Sequence, residues 1–359
     1  MKMKIEDLGY DEFFESSRKN LKLGGFPVAR VIVEHKGLYK VKNENGEYMA
    51  KITGKQMFSA LSREDYPVVG DWVSITDLGE GQAVIHKVLP RKTIIKRKRG
   101  GKNEIQVIGT NIDAALAIES VDRDYSLNRF ERYFAIASDG RIKPAIILNK
   151  IDLISKKELE SKTVQIKNRF DNIDFIPTST MTEEGLNELK SYIKRGKTYC
   201  FLGSSGAGKS SLINKLLGKN VIKTEDISSY ADRGKHITTN REMYFLDNGG
   251  IVIDNPGMRE VGMADAKSGI DNFFDEITML AKKCKYIDCT HIHEPGCAVL
   301  SAIKSGKLNE DKYNSYISLK KEAEHYEETD LEKRRKDRQF GKFIKTTKEQ
   351  LKKYGHKDY

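Results

Sequence analysis

Cysteine is scarce in this chain: four residues in 359, three of them in one short stretch. So few in so long a chain exclude a disulfide-stapled scaffold, and the clustering points to metal binding in a reducing compartment. Nowhere do eighteen apolar residues run together, so no membrane-spanning helix and no membrane partner are expected. The opening MKMKIEDLGYDEFFESSRKN has basic residues but no apolar segment behind them, so a secretory leader is not expected, and the cytoplasm is the expected compartment. Internal repeats and long low-complexity tracts are also missing. The composition, 38% hydrophobic and 32% charged, is that of globular domains with a heavily charged surface, and the length suits two or three of them.

Acidic residues are in deficit, 52 against 63 basic, for a net charge of +11. Evenly scattered, that excess would mean little. Here it is concentrated. Residues 91–102, RKTIIKRKRGGK, hold seven basic residues and no acidic one, and the tail from Leu331 to Tyr359 holds eleven basic against four acidic. Two such blocks suit a polyanion such as RNA, which binds by counterion release.

Between Pro27 and Val88 the chain reads as short β-rich runs, VARVIVEH, LYKVKN, EYMAKIT, DWVSIT and AVIHKVL, separated by polar turns. About five short strands predict a small barrel, either an OB-fold of the kind that binds single-stranded nucleic acid or an SH3-like barrel of purely structural purpose. From Gln106 the pattern becomes apolar strands alternating with amphipathic helices. The strands are AALAI (114–118), AIIL (145–148), YCFL (199–202) and IVI (251–253). Leu127, Phe130, Phe134 and Ala137 recur at helical spacing between the first two, with Gly140 as a stop. This predicts a parallel sheet covered on both faces. The expected organisation is multidomain: an N-terminal arm (1–24), an OB-fold barrel (25–90), a basic linker (91–105), a central α/β domain (106–270) and a C-terminal helical module with a basic tail (271–359).

Gly203-Ser204-Ser205-Gly206-Ala207-Gly208-Lys209-Ser210 matches GxxxxGK[ST], with an apolar strand before it and the amphipathic SSLINKLLG after it. Glycines let backbone N–H groups wrap a phosphate, and the helix N-terminus adds its dipole. In this pattern Lys209 reaches the β- and γ-phosphates and counts as catalytic, Ser210 ligates Mg²⁺, and Ser211 completes the loop. The base is read elsewhere. Asn149-Lys150-Ile151-Asp152 ends the strand AIIL. A carboxylate at Asp152 can accept from both guanine N1–H and the exocyclic amine, a pair adenine does not offer. FIPTST (175–180) ends in small polar residues, and Ser179 is a candidate backbone support for the guanine O6. Asp254-Asn255-Pro256-Gly257 follows IVI. Asp254 is expected to hold Mg²⁺ through water, and the Gly257 amide to sense the γ-phosphate. Between them, Arg233-Gly234-Lys235-His236-Ile237-Thr238-Thr239 offers a threonine to the Mg²⁺ shell, Thr239 being favoured slightly over Thr238.

In an ordinary GTPase the NKxD motif follows the phosphate loop, whereas here it precedes it. The order NKxD, phosphate loop, GxHxTT, DxPG resembles the circularly permuted GTPases of the ribosome small subunit-dependent GTPase A family. PVVGDWV (67–73) and QVIGTNID (106–113) resemble that family's barrel and junction segments. The resemblance covers nearly the whole chain. It implies an OB-fold, a permuted P-loop GTPase domain and a zinc domain. It also implies a GTPase that is stimulated by the small ribosomal subunit and acts in that subunit's late maturation; the expected partners are that subunit and its rRNA, bound by a monomer. Two features depart from the family pattern: the N-terminal segment is longer, and Ile237 stands where a threonine is usual.

Met258 occupies the position at which Ras-like enzymes carry a water-orienting glutamine, so water must be positioned otherwise or intrinsic turnover is slow. On its chemistry His236 either orients or deprotonates water, or packs within its loop. The resemblance assigns it the catalytic role. Cys284, Cys289, His291 and Cys297 make a Cys₃His set of the kind that holds structural zinc with no open position, and three sulfurs disfavour Mg²⁺ or Ca²⁺. His293 competes as the imidazole, and the resemblance assigns His291. Cys200 reads as plain core. Because DNPG runs on toward this cluster, chain order suggests that a change at Gly257 reorients the zinc module and tail. The expected cofactors are GTP/GDP, Mg²⁺ and one Zn²⁺. Two rival readings are a nucleotide-gated RNA-binding switch with negligible hydrolysis and a P-loop kinase, the second of which explains neither NKID nor DNPG.

Overall fold

In the computed structural model the described residues are 3–35, 37–54, 62–98, 105–122, 125–222, 241–254, 267–327 and 344. Five strands close a ring after the N-terminal arm: β1 (Val28–His35), β2 (Leu38–Asn43), β3 (Gly46–Ile52), β4 (Trp72–Gly79) and β5 (Gln82–Val88). The order is β1-β2-β3-β5-β4 and back to β1, with β3–β5 parallel and the other pairs antiparallel, an OB-like barrel. Alternation decides what faces inward: Ala29, Val31, Tyr39, Val41, Ala50, Val73, Ile75, Ala83 and Ile85 fill the barrel. β1 is bulged between Val31 and Val33. Past the bulge Ile32 and Val33 leave the barrel core and pack with Ile108, Met243 and Ile253.

A hairpin follows. Within the basic stretch, Ile94–Lys98 forms β6 and pairs with β7 (Ile105–Thr110). The second sheet region contains β8 (Ala114–Ser120), β9 (Lys143–Asn149), β10 (Asp174–Thr178), β11 (Thr198–Gly203), β12 (Arg241–Phe245) and β13 (Ile251–Asp254), in the order β10-β9-β8-β11-β13-β12. The first five of these are parallel, and β12 is antiparallel. Of these, β8, β9 and β10, which precede the phosphate loop in sequence, lie on one side of β11, and β12 and β13, which follow it, lie on the other. Every residue of β8 and β11 is buried, as the continuous apolar runs predict.

Two cores line the two faces of this sheet. One holds the phosphate-loop helix Lys209–Leu217 and the helix Leu186–Tyr192, through Leu186, Leu189, Leu212, Ile213 and Leu216. The other holds the helices Leu127–Asp139 and Lys156–Arg169 together with four C-terminal helices: Lys267–Phe273, Asp275–Ala281, Ala298–Lys304 and Glu310–Glu327. Ile270, Phe274, Val299, Tyr316 and Leu319 share that core with Phe130, Phe134 and Phe170. The joint is close. A Cβ on Gly269 would come within 2.2 Å of the Ala135 carbonyl, and Ser268 donates to Asp139 at 2.7 Å.

The seam between barrel and sheet is polar and buried, and its arginine and aspartate are hydrogen-bonded. Arg30 is 1% exposed; its guanidinium donates to the carbonyls of Leu8 (2.5 Å), Asn111 (2.9 Å) and Gly70 (3.3 Å). Burial draws it down to about 10, which leaves it charged at neutral pH. Asp71, fully buried, accepts from Arg91, from the Thr110 hydroxyl and from the Val68 amide. Gly70 has φ +99°, and a Cβ there would lie 2.1 Å from the Thr110 carbonyl, so the tight crossing requires glycine. The arm closes the seam from outside. Asp11 caps the helix Glu12–Asn20, which buries Phe14 beside Trp72, Val28 and Leu89.

Replacing Arg30 with Met removes three hydrogen bonds at once and strands the Leu8 and Asn111 carbonyls in the seam, while the Gly70 carbonyl keeps the Asn111 side-chain amide at 3.0 Å. Stability should fall by about 3 kcal/mol or more, read as a lower urea midpoint with an unchanged slope. An unchanged midpoint would mean that water or the arm takes over those carbonyls.

Candidate nucleotide site and metal centre

β11 ends at Gly203, where a Cβ would sit 2.4 Å from the Ile118 carbonyl of β8; only glycine lets the strands approach so closely before the turn. Residues 204–208 form the loop, and the helix Lys209–Leu217 begins after Gly208, which is left-handed at φ 93°. The Lys209 ammonium folds back over the loop and donates to the carbonyls of Gly203 (2.7 Å) and Ser204 (2.6 Å). Ala207 is buried, Ser205 and Gly206 are exposed, and Ser204, Ser210 and Ser211 are half-buried, so the loop presents its backbone and hydroxyls outward.

Asn149 joins the phosphate loop to the base-reading loop. It is fully buried, donates its amide to the Ala207 carbonyl at 2.9 Å, and accepts the Thr178 hydroxyl at 3.1 Å. A Cβ on Gly208 would stand 2.2 Å from the Asn149 amide nitrogen, so the third loop glycine is what lets that side chain in. Lys150 is left-handed (φ 62°), and its ammonium lies 3.1 Å from Asp122. Ile151 is buried and begins a short helical turn. Asp152 accepts the Ser179 hydroxyl at 2.5 Å, and that same oxygen accepts the amides of Met181 and Thr182 at 3.1 Å. The Ser179 amide is committed to the Glu184 carbonyl. Ser179 therefore offers its hydroxyl here, as an orienting group for Asp152.

Asp254 ends β13, 5% exposed. Burial pushes its carboxyl up, Lys209 draws it back, and Glu242 on β12 adds repulsion. A buried carboxylate with another acid beside it is relieved by a cation, which fits the Mg²⁺ expected there. Gly257, His236, Thr238 and Thr239 lie outside the described residues. Thr178, Asp122 and Glu242 belong to the site's surroundings, although no motif marked them; the FIPTST run was the signal for Thr178 alone.

The cysteine–histidine cluster assembles as the spacing predicts. One ligand atom from each of Cys284, Cys289, His291 and Cys297 lies within 4.8 Å of the others. His291 turns Nδ1 inward, 3.6 Å from the Cys284 sulfur and 3.5 Å from that of Cys297, while its carbonyl accepts the Tyr313 hydroxyl at 2.7 Å. Backbone amides of Ala298 and Leu300 donate to the sulfurs of Cys284 and Cys297, as expected around thiolates. Three sulfurs and one imidazole nitrogen in this arrangement suit structural zinc. His293 is not part of the cluster.

The family model for the RsgA GTPase matches residues 88–264. A model for ABC transporters matches residues 186–343; the phosphate loop lies in both spans, but the base-reading loop at 149–152 lies only in the first. The chain is 38% identical to Small ribosomal subunit biogenesis GTPase RsgA 1 of Bacteroides thetaiotaomicron, covering 89% of each chain. It is 39% identical to Small ribosomal subunit biogenesis GTPase RsgA of Methanosarcina acetivorans, covering 87% of this chain and 83% of that one. Among solved structures, YjeQ from Thermotoga maritima superposes with a TM-score of 0.63 at 26% identity, over 82% of this chain and 98% of the other. YloQ, described as a circularly permuted GTPase, shares the fold with a TM-score of 0.62 at 23% identity, over 85% of this chain and 97% of the other. The permuted strand order, the phosphate and base-reading loops and this similarity over most of its length agree: the chain belongs to the RsgA GTPase family.

Proposed function

We propose that the chain hydrolyses GTP as an assembly factor for the small ribosomal subunit, bound to that subunit's rRNA in the GTP state and released after hydrolysis. The observation that carries this reading is the Asn149 bridge. It brings the phosphate loop and the Asn149–Asp152 loop to one end of the parallel sheet, in a chain whose relatives are named small ribosomal subunit biogenesis GTPases. The chain's own residues divide the work. Backbone amides of 203–208 and the helix N-terminus bind phosphate, and Lys209 leaves the loop carbonyls for the β- and γ-phosphates. Asp152, oriented by Ser179, accepts from guanine, and a neighbouring amide of the 179–182 loop takes O6. Ser210, Asp254 and Thr239 hold Mg²⁺, which supplies charge neutralisation on the transferred phosphate when bound. The Gly257 amide reads the γ-phosphate, and His236 orients or deprotonates the attacking water.

The barrel, the zinc module and the basic blocks form the rRNA-binding parts, and Zn²⁺ at Cys284, Cys289, His291 and Cys297 is structural. The zinc module shares its core with the helices Leu127–Asp139 and Lys156–Arg169. It therefore moves with the body of the domain, which limits how far a change at Gly257 can swing it. A monomer in the cytoplasm fits this role, and no described helix is long and apolar enough to cross a membrane. Turnover measured with and without small subunits, together with co-sedimentation across nucleotide states, tests the reading. Stimulation and GTP-dependent retention are expected; neither would appear in a P-loop kinase.

Asp152→Asn should exchange the base preference. Xanthine keeps N1–H but carries a carbonyl where guanine has its amine, and an amide can donate to it. Each mispaired buried polar group costs about 1–3 kcal/mol, so the preference for GTP over XTP should reverse by at least about tenfold. Competition binding decides it, and a mutant that keeps full preference for GTP would remove NKID as the base reader.

Chelating zinc should loosen the 267–327 helices and leave GDP bound. The ligands sit on the sheet face opposite the phosphate-loop helix, in a different core. Hydrogen exchange should rise in those helices while GDP affinity changes by less than about threefold. Loss of GDP binding in step with zinc would show that the two faces unfold together.

A further inference from the structure

The barrel and the phosphate site share one hydrogen-bonded ladder. On one side β12 pairs with β1 of the barrel, Val33 opposite Glu242 and Glu34 opposite Arg241. On its other side β12 pairs with β13, where Glu242 stands opposite Asp254. One residue, Glu242, is thus the cross-strand neighbour of both a barrel residue and the carboxylate assigned to Mg²⁺. Opposed residues of antiparallel strands lie about 5 Å apart, so two ladder steps, roughly 10 Å, separate the barrel from Asp254.

Arg241 fastens this ladder at its start. It directly follows residues 223–240, the stretch of sequence that carries His236 and Thr239. Its guanidinium donates to the Val107 carbonyl of β7 at 2.7 Å and lies 3.7 Å from the Glu34 carboxylate of β1. The Arg241 side chain is 13% exposed, so its hydrogen bond to the Val107 carbonyl is largely shielded from bulk water, where a charge-assisted hydrogen bond is strong, while the Glu34 carboxylate, 36% exposed, adds a weaker ion pair. A second tie runs parallel to it: the Lys42 ammonium of β2 sits 5.0 Å from the centre of the Phe245 ring at the far end of β12. Below them Ile32 and Val33 pack with Met243 and Ile253. The β1 bulge lies immediately before the shared register: ahead of it β1 pairs with β4, past it Val33 and Glu34 pair with β12, and β2 stays paired along both stretches, so a twist of the barrel reaches β12 through β1.

We propose that Arg241 is a positioning residue: it fixes β12 between the barrel and Asp254, so that RNA held on the barrel changes how Asp254 presents itself to Mg²⁺. The inference rests on the reading of the chain as a GTPase acting on the small subunit, and it deepens that reading by naming the route. The Arg241 guanidinium is directed to Val107 and Glu34, so it acts on the site through Glu242 and Asp254.

The test uses the full chain with Arg241→Ala, Arg241→Lys and Glu34→Gln. First, binding of a non-hydrolysable GTP analogue is measured across Mg²⁺ concentration, without ribosomes. Arg241→Ala should need about tenfold more Mg²⁺ for half of the tightening, while GDP affinity without Mg²⁺ stays within about twofold of the starting protein. Arg241→Lys, which keeps the charge opposite Glu34 but loses the fork, should fall between them. Second, turnover is measured with added small subunits. Arg241→Ala and Glu34→Gln should lose most of the stimulation. An unchanged Mg²⁺ dependence in Arg241→Ala overturns the proposal, as does an equal loss of Mg²⁺-free GDP binding, the mark of a merely structural residue. If subunits fail to stimulate the unaltered chain, the functional reading falls, and the Mg²⁺ titration still decides the role of Arg241.

Discussion

A single buried amide ties the Gly203–Ser210 loop to the Asn149–Asp152 loop. Asn149 ends β9 and Ala207 lies in the turn after β11, and the two are 58 residues apart in sequence with β10 between them. No direct chain connection brings the two loops to each other. They meet because β8 separates β9 from β11 in the sheet, and because Asn149 donates across that gap while Thr178 donates to it from the next strand. Fully buried, the amide would leave several polar groups unsatisfied if any of these partners moved, which makes the arrangement close to all-or-none.

That bridge explains how a permuted order can still bring the two loops to one end of the sheet. What the site needs is strand order in space: β9 and β10 on one side of β11, β13 and β12 on the other. Chain order is free so long as the ladders and the bridge form. The zinc cluster adds a separate constraint on the outer face. Its ligands close on one another within 4.8 Å and are continuous with the packing of Phe130, Phe134 and Phe170, so the last helices complete the domain's covering layer.

Much of this was legible in the residues, for identifiable reasons. β8 and β11 read as continuous apolar runs because both faces of the sheet are covered, and the helix Leu127–Asp139 read from its spacing and from Gly140. The phosphate loop, NKID and the Cys₃His set were legible because each chemistry demands particular residues at a fixed spacing. β12 was not: REMYF carries two charges in five residues, and what makes it a strand is pairing with β1 and β13. β6 was hidden in the same way by lysine and arginine, its pairing with β7 being a tertiary matter. Nor can sequence foretell a buried arginine. Arg30 looks like a surface residue of an alternating strand until Leu8, Gly70 and Asn111 arrive from three distant segments to accept from it. The Ser179 hydroxyl, rather than its amide, is the group offered at the base-reading loop because Glu184 takes the amide, a contact no spacing rule contains.

The bulged strand β1 has a consequence for how the chain can be divided. One of its edges is paired with β2 on both sides of the bulge; the other edge closes the barrel against β4 in its first half and covers the outer side of β12 in its second. A shortened chain beginning after the barrel would leave β12 with open amides and carbonyls, and with Met243 and Phe245 stripped of Ile32 and Val33. Such a strand recruits another copy of itself, so the truncated protein would tend to self-associate and precipitate. The barrel is in this sense the sheet's own solubilising cap, and loss of the first hundred residues by proteolysis would produce an aggregating fragment rather than a smaller working enzyme.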